Sequence, residues 1–237
     1  MDFAKAFTFM FEDPDWLKKL GIGTLIGLLG IVLSPVLVGI VPLLVLLGYT
    51  IDVLRNVMHG SDRPLPEWDN WGSFLAKGFK VAAASFVWSL PAILLTVPLV
   101  VGSMMADQGG SAGNLGGAEA LGIGIILCGT CLMILWSLFV TLISPAIYVR
   151  IAETDRFSSA FNFGAMWAFT RDNIGNIILA LLLMIVVGLI ASVIAGLGFV
   201  ALVIGVLITL PFATLWQYLV QAHLFGQIGR FSVTPVD

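Results

Sequence analysis

Residues able to do chemistry are few in this chain, and they stand far apart. Cys128-Gly129-Thr130-Cys131 has the spacing of a thiol redox pair, in which one thiolate attacks and its neighbour resolves the intermediate. No Lys, Arg or His lies near it in sequence to lower a thiol pKa, and a second cysteine pair to pass electrons on is missing. Small residues at i and i+3 are ordinary in packed membrane helices, so the pair reads as structural. His59 and His223 are the candidates for holding a haem- or chlorophyll-type metal through imidazole nitrogen. Both fall at the rim of an apolar stretch, where a merely polar role is the simpler reading. Asp52 is the only acid near the interior of such a stretch, and Arg55 stands one turn away, a spacing at which the two can pair. Ionisable groups inside a membrane usually mark ion pathways, and their scarcity speaks against a proton- or sodium-coupled transporter. No serine–histidine pair, metal-ligand cluster or phosphate loop appears, so neither a catalytic residue nor a cofactor is expected.

The elements that carry these residues are unusually apolar. Leu20–Ile51, Val81–Ala106, Ala120–Val149 and Asn173–Gly229 contain no Asp, Glu, Lys or Arg, and together make up more than half of the 237 residues. Hydrophobic residues form 59% of the chain and charged ones 11%, with a mean hydropathy of +1.05; soluble domains carry about 25% charged residues. The fold class is therefore an all-α membrane helix bundle. A net charge of −3 leaves a nucleic-acid partner nothing to grip. The first 19 residues mix acids, lysines and aromatics without a small-residue cleavage site, so the first span is expected to stay in the mature protein.

A crossing helix needs about 20 residues. The run from Trp16 to His59 is too long for one, and Ser34-Pro35 breaks it, because proline removes a donor and disfavours helix just before it. The spans are expected at 16–33, 36–54, 81–104, 121–148, 174–195 and 199–225 within a single domain over 1–237. Pro42 should kink the second, and Gly196-Leu197-Gly198 should turn the chain between the last two. With both termini inside, all 11 Lys and Arg residues fall on inner segments or on the span ends beside them, as the positive-inside rule requires. The glycine-rich outer stretch Asp107–Ala118 reads as a solvated connector.

Residues 68–80 read WDNWGSFLAKGFK. At 100° per residue Trp68, Trp71, Phe74, Leu75 and Phe79 fall on one side, and Asp69, Asn70, Ser73, Lys77 and Lys80 on the other. That predicts an amphipathic helix lying along the inner interface, with Asp69 as its N-cap. Phe7–Leu20 and Phe161–Asn176 are also aromatic-rich inner segments leading into apolar pairs, so three units of interfacial segment plus transmembrane hairpin are one possible architecture.

The stretch from Gly48 to Lys80 resembles the signature of a prokaryotic family of multi-span membrane proteins of unknown function. The matching positions are Gly48, Tyr49, Arg55, Gly60, Leu65, Pro66, Glu67, Trp68, Asp69, Trp71, Gly72, Gly78 and Lys80. Asp13-Pro14-Asp15-Trp16 and Lys18-Lys19 fit the lead-in. The last span, with Pro211 and Tyr218, is similar to membrane domains found beside glycerophosphodiester phosphodiesterases. The resemblance implies a prokaryotic plasma membrane and supplies no activity.

Pro66, Glu67, Trp68, Asp69, Trp71, Phe74, Lys77 and Arg55 are accordingly the candidate interaction residues. They form either a clamp that locks the segment to the bundle or a docking surface for a protein or lipid headgroup. The expected role is that of a scaffold, assembly factor or accessory subunit, with membrane lipid and other membrane subunits as partners. A carrier or channel for lipid or a neutral solute, and an enzymatic or cofactor-binding subunit, are the alternatives.

Overall fold

The structure, a computed structural model, describes residues 1–107 and 116–233; most of the expected connector at 107–118 lies outside them. Among the described residues eight α-helices follow one another: α1 Phe3–Thr8, α2 Trp16–Leu33, α3 Ile40–Met58, α4 Trp71–Ala106, α5 Gly117–Thr154, α6 Phe163–Asp172, α7 Ile174–Leu197 and α8 Leu202–Val233. Among the described residues there is no strand. Six of the helices are long and apolar enough to cross a membrane. This is the only regular structure that satisfies its own backbone in hydrocarbon short of a closed barrel.

The breaks have local causes. A 3-10 turn at Ser34–Val36 ends α2, with Pro35 inside it and Leu37 in the left-handed region at φ 60°. Pro42 lies in the first turn of α3, where the missing N–H would have no intrahelical partner anyway, so the expected mid-span kink gives way to a tolerated helix start. At the far end of α3, Gly60 takes φ +71°. There Gly60 N–H bonds Val57 O and Ser61 N–H bonds Asn56 O, both at 3.0 Å: a Schellman stop, which favours glycine at that position.

The described chain divides into two compact units, Met1–Ala84 with Pro145–Asp237, and Ser85–Ser144. In the first, α8 packs against α2, α3 and α7, and its Leu215, Leu219, Val220, Leu224 and Ile228 are buried. In the second, the middle parts of α4 and α5 pair through Gly102 against Ile125 and Gly129 against Leu99, and Trp136 Nε1–H donates to Trp88 O at 3.0 Å. Most leucines and valines of that pair face outward. This suits a lipid solvent, in which an exposed Leu loses nothing. Cys128 and Cys131 are unpaired and exposed there.

The separate surface helix expected over Trp68–Lys80 is replaced by something longer. Its residues from Trp71 onward are the first turns of the 36-residue α4, while Trp68 precedes the helix. Asn70, not Asp69, caps it, its Oδ1 accepting from Ser73 N–H at 3.3 Å. The expected division of faces is also corrected. Phe74, Gly78, Val81 and Ala84 are buried with Lys77 half-buried among them, whereas Phe79 is 63% exposed. The inward stripe follows the i, i+3, i+4, i+7 spacing of a packed helix, but it contains a lysine, because a carboxylate on α3 waits opposite.

Candidate functional site

The segment 64–68, Leu-Pro-Glu-Trp with a proline before it, decides the local architecture. Pro64 and Pro66 have no N–H, so the segment cannot join a helix or a ladder, yet its carbonyls still need donors. Three side chains supply them. Asn56 Nδ2 donates to Pro64 O at 2.9 Å, Lys19 Nζ to Leu65 O at 3.0 Å, and Tyr49 Oη to Pro66 O at 3.2 Å. Asn56 and Tyr49 come from α3 and Lys19 from α2, so the extended segment ties both helices together.

Lys19 is the hub. Besides Leu65 O its ammonium reaches Asp13 Oδ2 at 2.8 Å and Glu67 Oε1 at 2.7 Å. Three acceptors match the three N–H bonds of a lysine. Lys19 is 6% exposed and Asp13 3%, so this is a buried pair with its hydrogen bonding filled. Trp68 closes the cluster. Its Nε1–H donates to Lys19 O at 3.0 Å, and its ring lies on Tyr49 with centroids 4.0 Å apart and planes within 6°. Phe74 meets both rings edge-on at 5.6 and 5.7 Å.

Burial pushes the Asp13 carboxyl up, but the Lys19 hydrogen bond, the Asp15 N–H and the charges of Lys19 and Arg63 outweigh it and hold the group below the ordinary 3.8. A carboxyl lower in the folded than in the unfolded state contributes stability that is complete above the unfolded value. That stability is lost as pH falls through the folded value. Thermal unfolding in detergent, followed from about pH 6 downward, is expected to show wild type losing stability below pH ~4, with a shallower loss in Asp13→Asn. Parallel curves for the two proteins would contradict this role for Asp13.

One turn beyond Tyr49, Asp52 Oδ1 accepts from Lys77 Nζ. The i, i+3 partner expected for Asp52, Arg55, instead projects outward and is exposed. Lys80 Nζ donates at 2.8 Å to both the carbonyl and the carboxylate of Asp155, whose left-handed φ of 54° ends α5. Two glycines permit the approach of α3 and α4. A Cβ on Gly48 would overlap the Phe74 carbonyl, and one on Gly78 the Leu44 carbonyl. The helices therefore cross with backbone against backbone, and the Asp52–Lys77 pair sits beside the crossing.

Of the candidate interaction residues, the structure brings Pro66, Glu67, Trp68, Phe74 and Lys77 into this assembly. Asp69 and Arg55 are exposed, and Trp71, 46% exposed, meets it through the Trp68 ring at 5.5 Å. Sequence reasoning missed Asn56, and it placed Asp13 and Lys19 in the lead-in of the resemblance without counting them among the candidate interaction residues. The signal was a proline-flanked segment whose carbonyls had to find donors. His59 caps α3, its Nδ1–H donating to Arg55 O at 2.7 Å. His223 is buried in α8, stacked on Phe9 at 4.4 Å, with Gln227 Nε2 3.0 Å from its Nδ1. Among the described residues no group of three or more His, Cys, Asp or Glu side chains could hold a metal ion.

A family of proteins of unknown function, DUF4013, matches residues 31–210. The chain belongs to that family. The match takes in α3 to α7 and the assembly around Tyr49, Trp68 and Lys77, and carries no activity with it. No curated protein and no solved structure matches the chain. The DUF4013 region begins after Asp13 and Lys19, so the hub lysine is supplied from outside it.

Proposed function

We propose that this DUF4013 protein is a non-catalytic integral component of a prokaryotic plasma membrane, serving as scaffold, assembly factor or accessory subunit to other membrane proteins. The observation that carries this reading is the saturation of Lys19. Its ammonium has an acceptor for each N–H, two of them on the Leu65–Glu67 part of the signature, and neighbouring ionisable groups are engaged in helix-to-helix ties at Asp52–Lys77 and Lys80–Asp155. A general acid, base or nucleophile needs a side chain free to meet substrate; these are engaged with protein. The clamp leaves Arg55, Asp69 and Trp71 outward, and these form the rim on which a partner subunit docks. Trp and Arg are the residue types that dominate such contacts. In this reading the spans pair as three hairpins, both termini are cytoplasmic, and the aromatic starts of the helices lie at headgroup level.

Cross-linking in native membranes tests it. The protein is expected in a discrete complex larger than the protomer, weakened in Trp71→Ala while thermal stability stays near wild type. Migration as a bare protomer, or solute flux through liposomes holding the pure protein, would remove the scaffold reading. External labelling of cysteines placed at Gly60 or Arg230 would sink the topology.

A further inference from the structure

A second polar feature lies apart from the clamp. The N-terminal helix α1, the turn after α3 and the last turns of α8 line an open basin of about 520 Å³, within the size range of small-molecule sites. Gln227 fixes one wall. Its Oε1 accepts from Asp2 N–H at 2.7 Å, which assigns the other end of the amide as nitrogen. That nitrogen lies 2.8 Å from Asp2 O and 3.0 Å from His223 Nδ1, and donates to both. An Nδ1 that accepts leaves the ring proton on Nε2. His223 is 4% exposed and lines the basin, a buried imidazole held in one tautomer with its remaining N–H on Nε2.

Charge around the basin is mixed. Lys5 and Arg230 contribute cations, Asp2 and Asp62 carboxylates. Arg230 lies over the Gly60 turn, where a Cβ would stand 3.2 Å from its Nη2. A bare polyanion would meet the two acids, and a bare cation would meet Lys5 and Arg230. A zwitterion of matching spread satisfies both. The basin is lined by the C-terminal ends of α3 and α8, two of the helices long and apolar enough to cross a membrane, which is where a headgroup would be met.

We propose that this basin binds the headgroup of an aminophospholipid, its phosphodiester against Lys5, Arg230 and the His223 Nε2–H, its primary ammonium against Asp62. A primary ammonium brings three N–H donors to a carboxylate, whereas a quaternary one brings none.

Native mass spectrometry of the full-length protein, released from phosphatidylcholine nanodiscs doped with phosphatidylethanolamine or phosphatidylglycerol, reads the selectivity. Phosphatidylethanolamine is expected to be retained about tenfold over either competitor, the scale of one charge-assisted hydrogen bond. Asp62→Asn should abolish the preference, lowering retention of phosphatidylethanolamine to the level of phosphatidylcholine while leaving retention of phosphatidylcholine near wild type. Arg230→Gln should lower retention of all three lipids. Both side chains are exposed, and a thermal-unfolding midpoint near wild type for each variant is the accompanying control. Calorimetry with soluble glycerophosphoethanolamine is expected to show no binding. Equal retention of the three lipids, an Asp62→Asn protein with intact preference, or binding of the soluble ester without the lipid would each overturn the assignment.

Discussion

Gly48→Ala is expected to force α3 and α4 apart and to destabilise the protein by about 3 kcal/mol or more, the upper range of overpacking effects. The atom in the way is the Phe74 carbonyl, part of a helix backbone that cannot rotate aside as a side chain does. Gly78→Ala meets the Leu44 carbonyl from the opposite direction and is expected to match it. The two should be strongly non-additive, because either one alone opens the crossing. Gly72→Ala, on the same helix with nothing within 4 Å of its Cβ, is the control. It should be neutral or stabilising by up to ~1 kcal/mol through helix propensity. Thermal unfolding in detergent reads all three, and equal stability of Gly48→Ala and Gly72→Ala would rule out the backbone crossing.

Lys19→Met should be comparably damaging. Removing one member of a buried pair leaves the other as an uncompensated charge, typically a loss of about 3–5 kcal/mol. Asp13 is the residue so stranded, while Glu67 is half-exposed and turns to water. Leu65 O also loses its donor. Lys19→Met combined with Asp13→Asn is therefore expected to be more stable than Lys19→Met alone, since an amide oxygen still accepts from Asp15 N–H and carries no charge. A double variant less stable than the single would show that the ammonium matters to Leu65 and Glu67 rather than to Asp13.

The long apolar helices were legible because charge is excluded from hydrocarbon; four uncharged stretches with prolines and glycines at their breaks leave little choice of element. The start of α2 at Trp16 and the stop of α3 near Gly60 are written in local chemistry. The inward face of α4 was not legible. In water a buried stripe stands out against a polar face, but in lipid both faces are apolar, so periodicity separates them poorly. Sorting by polarity put Lys77 with Lys80 on the wet side, whereas Lys77 faces Asp52. Finding that pair requires knowing that Gly48 and Gly78 meet, a fact of crossing geometry. Lys18 and Lys19 are adjacent and identical in type, yet only Lys19 is buried, because α2 turns one toward the Leu65–Glu67 segment and the other away.

The dependence of Lys19 on residues 46 positions downstream sets an order on biogenesis. Until Leu65 and Glu67 have emerged, the acceptor of Lys19 nearby in sequence is Asp13. The tie forms once α3 has followed α2 into the bilayer and the Pro64–Trp68 segment has left the ribosome behind it. A chain interrupted before that point lacks two of the three acceptors of Lys19 and the Trp68 ring that lies on Tyr49. The first two long helices are thus joined to each other through chain that follows both of them.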